Sequence, residues 1–472
     1  MSSLTDSSWI EAELSCTHFS EKRLKSRFKF IAKELAERPN YPINQASTNW
    51  AASKAAYRFF ENPKVSYPQI LKPHIENTVD RLSKRDRVVI VQDTTFFDYS
   101  KHKKTSGLGK LNSANGFKVK GLLMHTTLAL SDNGLPLGII DQHIWSRKEQ
   151  KKSGHEHTKI PLHQKESFRW IKGLRKSAEL CSEKTSIVTV CDREADIYEF
   201  FQEAIKLETD VVVRLQHNRV IDDEIGDDIN LKDYLGTLKS RGKLQIEIPG
   251  SGSRKKRTAN MKVFFKTIIV QGKPRGVSTK RVSKRSDIEL NIVELREVNP
   301  AEGTKKLHWI LLTTLAVNSF SQAKEVMNYY KKRWKIELFF KTLKSGCAVK
   351  DCRLESADKL MKYITLKSVI AWRLFWMSLI NRISPNVCCE VVLTPSEWKT
   401  LWLKRNRQKI KSKKIKPSPP EKPPTLYEAI RWIAMEGGFL GRKGDGEPGI
   451  QSIWRGWQEL EAGVEVWDLI HG

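Results

Sequence analysis

The sequence predicts an α/β protein: a mixed sheet covered by helices on both faces, interrupted by a β-rich insert and flanked by helical segments at either end. Three observations predict it. Two continuous apolar runs, Val88-Val89-Ile90-Val91 and Ile187-Val188-Thr189-Val190-Cys191, have the composition of strands buried on both faces. Between them lie a hairpin pattern and a helical pattern. Helical spacing also dominates before residue 70 and after residue 320.

Taken in order, residues 1–70 read as a small helical unit. Arg23 to Leu35 and Ala51 to Phe60 carry helical periodicity, and Asn62-Pro63 breaks it. The first of these helices offers Lys22, Arg23, Lys25, Arg27 and Lys29 either to a DNA groove or to solvent. The first strand then ends at Gln92-Asp93-Thr94-Thr95. After a Gly/Lys-rich loop, Leu122 to Leu130 and Leu135 to Trp145 flank the turn Asp132-Asn133-Gly134 and spell a hairpin. A helix (Lys165 to Cys181), the second buried run ending at Asp192, a helix (Glu194 to Ile205) and a strand (Asp210 to Leu215) follow.

This β-β-β-α-β-α-β order is that of a ribonuclease-H-like core. In that topology the first and fourth strands are neighbours, so Asp93 and Asp192 would share one site. Residues 217–307 interrupt the rhythm with short alternating strands. Between Arg241 and Arg285 they hold fourteen Lys or Arg against one acid, Glu247, a density that suits phosphate contact. A strand (Leu307 to Leu315), a long helix (Ser321 to Lys344) and a buried helix (Leu360 to Ile380) complete a core expected over residues 71–384. Beyond it, residues 385–472 read as helices around a Pro-rich turn, Pro417 to Pro424. Trp454, Trp457 and Trp467 there form either a self-association surface or a small satellite core.

Composition limits what such a chain does. Lys and Arg number 83 against 54 Asp and Glu, a net charge of +29 over 472 residues, which calls for a polyanionic partner. Mean hydropathy is −0.48, and no run reaches the roughly 18 uncharged apolar residues of a membrane span, so no membrane partner is expected. The opening MSSLTDSSWIEAEL has no secretory pattern, and a cytoplasmic, nucleoid-associated protein is expected. Seven cysteines make no disulfide framework or paired C-x2-C zinc site. His155, His157 and His163 read as a polar loop. Gly107-Leu108-Gly109-Lys110 lacks the spacing of a nucleotide-binding P-loop.

At about 100° per residue, Tyr330, Arg333, Glu337, Lys341 and Lys344 share one narrow helical stripe, while Ile336, Phe339, Phe340 and Leu343 form the buried face. A ladder of i,i+4 salt bridges explains Glu337, but not seven basic residues against two acids between Lys324 and Lys344. Asp93, Asp192 and Glu337 together make an all-oxygen site suited to Mg2+ or Mn2+. Two such ions would serve phosphodiester chemistry.

The spacing Tyr330-x2-Arg333-x3-Glu337-x6-Lys344 matches the YREK signature, and YYKKRWKIELFFKTLKSG, VCDREADIYEF and QDTTFFDYS surround the three carboxylates. With AYRFFENPKVS near the start and GGFLGRKGDGEPGIQSIWRGWQEL near the end, the chain resembles the DDE transposases of bacterial insertion-sequence family four, in their Tn-five-type branch. The resemblance implies a catalytic, metal-holding triad of Asp93, Asp192 and Glu337 with two Mg2+ ions, which Mn2+ replaces. It implies that Tyr330, Arg333 and Lys344 hold the backbone of the transposon end and a flipped base, and that the base stacks on Trp309. A strand-core tryptophan is the alternative for that position.

Lys341, Arg23 and Arg27 are further candidate DNA contacts. The implied partners are double-stranded DNA, as inverted-repeat ends and target, and a second copy of the chain in the DNA complex. The implied architecture is an end-recognition domain, an interrupted catalytic core and a dimerisation domain, and the implied reaction is cut-and-paste transposition through hairpin ends. A DNA-binding inhibitor and a structure-selective nuclease of the same fold are the rival classes; the intact triad speaks against the first.

Overall fold

The computed structural model describes residues 8–111, 119–147, 160–222, 228–248, 256–272, 286–300, 302–442 and 444–471. His155 and His157, and much of the basic insert (249–255 and 273–285), lie outside the described residues. The described chain opens on α1 (Ser8–Glu13), α2 (Lys22–Glu37), α3 (Ile43–Ala46), α4 (Trp50–Glu61) and α5 (Tyr67–Ser83). In α2, Leu24, Phe28, Ile31 and Leu35 recur at helical spacing and all are buried. Asn49 starts α4 by accepting a hydrogen bond from the Ala52 N–H at 2.9 Å. Phe19, Phe28 and Phe59 then lock α2 to α4 through ring contacts of 5.2 to 5.8 Å.

The middle of the chain runs β1 (Arg87–Asp98), β2 (Gly109–Leu111), β3 (Val119–Ser131), β4 (Pro136–Trp145), α6 (Phe168–Leu180), β5 (Ser186–Cys191), α7 (Tyr198–Lys206) and β6 (Asp210–Arg214). It continues through β7 (Val220–Asp222), β8 (Asp228–Asn230), α8 (Leu231–Thr237), β9 (Gly242–Ile248), β10 (Arg257–Val270), β11 (Ile288–Glu297) and β12 (His308–Thr313). These strands form one mixed sheet in the order β2-β3-β1-β5-β6-β12-β11-β10-β7-β8, with β4 beside β3 and β9 beside β10. The pairs β1–β5 and β5–β6 are parallel; β12 pairs antiparallel with both β6 and β11. The insert strands therefore extend the central sheet instead of forming a separate unit, because β12 returns to lie between β6 and β11.

Strand alternation divides the core. Val89, Val91, Val188 and Val190 face one apolar cluster, which includes Ile336, Phe339 and Phe340. On the other face Cys191, Val211 and Val213 pack with Trp170, Ile171 and Leu174 of α6 and Phe200 and Phe201 of α7. Helices thus cover both faces, and the molecule is a mixed α/β protein.

The remaining helices are α9 (Phe320–Lys332), α10 (Trp334–Lys341), which ends in a π turn over Thr342–Gly346, α11 (Ala357–Ile383), α12 (Pro395–Lys411), α13 (Leu426–Glu436) and α14 (Ile450–His471). The expectation that no segment is apolar enough to span a membrane is corrected by α11, which is by length and composition; 78% of its apolar window is buried inside the protein. Two of its buried lysines tie it to the N-terminal helices. Lys367 donates to the carbonyls of Pro39 and Tyr41 beyond α2, and Lys362 to those of Phe60 and Asn62 at the end of α4. Of the two readings of the C-terminal tryptophans, the satellite core describes Trp457, which packs with Trp398, Leu401, Ile430 and Ile433. Trp454 is buried against Gly346, and Trp467 is half-buried.

Candidate active site

The parallel ladder pairs Val91 with Val190, and two residues further on stand Asp93, within β1, and Asp192, just past the end of β5. Both continue the alternation that faces α10. Asp93 is not at a strand end as expected: β1 runs on to Asp98 because β3 keeps pairing with it, Asp93 opposite Thr126. What ends near Asp93 is the parallel pairing. Asp192 caps a short 3-10 turn, Arg193–Ala195, its Oδ1 accepting from the Glu194 N–H at 2.9 Å.

Glu337 arrives from α10 and is tied to Asp93 through Arg333. The guanidinium donates from Nη1 to Asp93 Oδ2 at 3.2 Å and from Nη2 to Glu337 Oε1 at 2.5 Å. Burial and the neighbouring Asp192 push the Asp93 carboxyl up to about 7, against the pull of Arg333 and the Thr94 N–H. Burial works against the Arg333 charge, but Tyr330, Asp93 and Glu337 outweigh it and its pKa is raised. Lys344 is pushed down to about 8 by burial and by Lys350, with Asp93 opposing; its Nζ lies 4.9 Å from the Phe96 ring centre.

The single helix expected over residues 321–344 is divided. Hydrogen bonds from Arg333 N to the Tyr330 carbonyl (3.1 Å) and from Ile336 N to the Arg333 carbonyl (3.2 Å) tighten one turn, and the π turn widens the next. The backbone at Arg333 stays helical, and Arg333 keeps its i,i+4 contact with Glu337. Tyr330 is buried rather than on an open edge and meets half-buried Trp309 edge-to-face at 5.3 Å. Lys341 is exposed on α10. Arg23 is exposed and Arg27 half-buried on α2. The expected buried face of Ile336, Phe339, Phe340 and Leu343 is buried.

Sequence reasoning passed over the residues behind the carboxylates, above all Thr94, His125 and Arg169. No local pattern marks them, since each side chain acquires its partner only when β1, β3 and α6 are brought together. A cavity of about 550 Å³ lies near this end of the sheet, lined by Arg193, Arg214, Lys232, Arg296 and Lys306 among others. Its one acid, Glu294, is already bonded by Arg296 and His308. The cavity includes Ile310, which faces α6 and α7, and so does not adjoin the carboxylate face.

Hard carboxylate oxygens beside surplus cations form a site suited to a protein that handles phosphodiesters. Three family models match the chain: Transposase DNA-binding over residues 6–65, Transposase DDE domain over residues 84–374 and Transposase Tn5 dimerisation domain over residues 369–468. The chain belongs to the DDE transposase family and is of the Tn5 type. It is a DNA transposase with DNA-binding, DDE catalytic and dimerisation domains.

DDE transposases generally use divalent metal ions. Among the described residues no group of three or more His, Cys, Asp or Glu is drawn tightly enough to hold an ion as it stands. The donor set still fits one. Asp93, strained toward protonation by burial and by Asp192, stands with Glu337 around a single cationic group, Arg333, and a rotation of that side chain would free oxygens of both carboxylates.

Proposed function

We propose that this transposase excises and inserts DNA by a cut-and-paste route, on a ribonuclease-H-like core, with Asp93, Asp192 and Glu337 holding two Mg2+ or Mn2+ ions. The observation that carries the reading is the gathering of three sequence-distant carboxylates with Arg333 and Lys344 at the point where β1 and β5 part. Bound divalent cations supply Lewis-acid activation of the attacking oxygen and stabilisation of the leaving one. The chain's own residues orient and neutralise. Arg333 and Lys344 face the phosphate charge, while Trp309, half-buried and backed edge-to-face by Tyr330, offers aromatic surface to an unstacked base.

A water oxygen bonds to phosphorus at the transposon end, and the 3′ oxygen leaves with a proton. That 3′ hydroxyl then attacks the opposite strand, closing a hairpin and releasing the flanking DNA. A second water reopens the hairpin, and each of the two 3′ hydroxyls bonds to a target phosphorus, from which the target strand's 3′ oxygen leaves with a proton. Residues 1–70 would recognise the inverted-repeat ends, 71–384 with the insert at 217–307 would cut, and 385–472 would pair two copies. The test is a linear DNA bearing both ends of the element, incubated with Mg2+ or with EDTA. Hairpins and end-joined products in Mg2+ alone are expected; binding without strand breakage at every Mg2+ and Mn2+ concentration would overturn the cut-and-paste reading.

Asp93 also sets a pH dependence. A cation must displace its proton below about 7, so Mn2+ affinity of the free protein is expected to fall about tenfold per unit of decreasing pH below that point and to level off above it. In the free protein, the same shift lowers folding stability as pH rises from 3.8 to about 7. Calorimetric Mn2+ titrations at several pH values check the first slope; a flat profile would contradict it.

A further inference from the structure

Thr94 follows Asp93, and strand alternation sends its side chain through to the face opposite the carboxylates. There Thr94 Oγ1 accepts from Arg169 Nε at 2.9 Å and lies 2.9 Å from Nδ1 of the buried His125. The same guanidinium uses Nη2 to pair with the Glu194 carboxylate and Nη1 to donate to the Glu166 carbonyl at 2.8 Å. Glu194 is the residue whose backbone N–H fixes Asp192 Oδ1. One planar group on α6 thus reaches the neighbour of Asp93 with one edge and the clamp of Asp192 with another. Its guanidinium carbon lies 5.4 Å from the ring centre of Trp170 and 5.9 Å from that of Trp145, and its side chain is 11% exposed.

We infer that Arg169 is a positioning residue that holds the two carboxylate-bearing strands in register from the reverse face of the sheet. The inference rests on the proposed metal-holding role of Asp93 and Asp192. Partners behind metal-binding side chains orient them, and their loss typically costs about 10- to 100-fold in metal affinity or activity. A guanidinium is suited to the task because its donors diverge in one rigid plane, whereas a lysine ammonium reaches Thr94 or Glu194 but does not brace both. Direct contact with reacting atoms is not its part, since the carboxylates face the other side of the sheet.

The test compares the full-length wild type with Arg169→Met, Arg169→Lys and Thr94→Val. Arg175→Met serves as a control on the same helix, where Arg175 donates to the Glu203 carboxylate from Nε at 2.8 Å and from Nη2 at 2.9 Å. Mn2+ binding to the protein alone is measured by calorimetry, end binding by gel shift in EDTA, and end cleavage across a Mn2+ series. Arg169→Met is expected to weaken Mn2+ binding about 10- to 100-fold with end binding unchanged, and saturating Mn2+ should recover part of the cleavage. Arg169→Lys should fall between it and the wild type, Thr94→Val should move the same way, and Arg175→Met should match the wild type.

Wild-type Mn2+ binding in both Arg169→Met and Thr94→Val would overturn the inference. So would a loss confined to end binding in EDTA, which would make Arg169 a DNA contact. If thermal melting shows that Arg169→Met does not fold, Thr94→Val decides. Inclusion of Glu337→Ala separates the two readings: cleavage by that variant sinks the proposed site itself, whereas its inactivity beside wild-type behaviour of the Arg169 variants sinks only the positioning role.

Discussion

Glu337→Ala is expected to abolish strand cleavage, by at least about 10³-fold, while leaving end binding in EDTA intact. The magnitude follows from the several kcal/mol of charge stabilisation that a metal-assisted displacement loses with one of its carboxylates. The separation from folding follows from geometry. Glu337 is 35% exposed and bonds Arg333 one helical turn away, so truncation leaves the apolar face of α10 untouched. Arg333 keeps its bond to Asp93. Nicks, hairpins and joined products on paired ends are the readout, with gel shift as the control. Cleavage at the wild-type rate would remove Glu337 from the site.

The second large effect lies far from the carboxylates. Glu13 of α1 is held by Arg81 of α5 in a bidentate pair at 2.8 and 2.9 Å and by His74 Nδ1 at 2.5 Å. His74 accepts the Ile139 N–H on Nε2 at 2.9 Å, and burial holds its pKa down, so the ring is neutral and Arg81 supplies the positive charge. Burial raises the Glu13 pKa, but these partners win and hold it at about 2. Glu13→Ala is expected to cost about 3 to 5 kcal/mol, since it strands a guanidinium within a largely buried network. The sign with pH is fixed: the pair's contribution is whole above 4.5 and is lost as pH falls toward 2. Urea unfolding of both proteins should therefore differ most at neutral pH and converge in acid. Equal stability at pH 7 would show that the network contributes nothing.

Much of this site is legible in the chain because its carboxylates sit on strong local signals. Asp93 and Asp192 each follow a run of β-branched residues, and Glu337 rides a helix whose apolar face is unambiguous. Their adjacency is a property of topology, readable only once the order of elements suggests that β1 and β5 are neighbours. The helix break at Arg333 was not legible, because its backbone angles remain helical and only the hydrogen-bond pattern changes. Tyr330 looked like an edge residue for that reason. The insert's continuity with the sheet depends on β12 pairing with two strands distant in sequence, and Arg169 on a guanidinium whose partners come from three elements.

That continuity has a metric consequence. From β5 to β10 the sheet passes through β6, β12 and β11, four steps of hydrogen-bonded backbone at about 4.8 Å each, or roughly 19 Å. Duplex DNA advances about 3.4 Å per base pair, so this is the length of five to six pairs, about half a helical turn. The hydrogen-bonded sheet thus holds β10 at a fixed spacing from the end of β5, and under the proposed role of Asp192 that spacing would set how far along a bound duplex a contact from β10 falls.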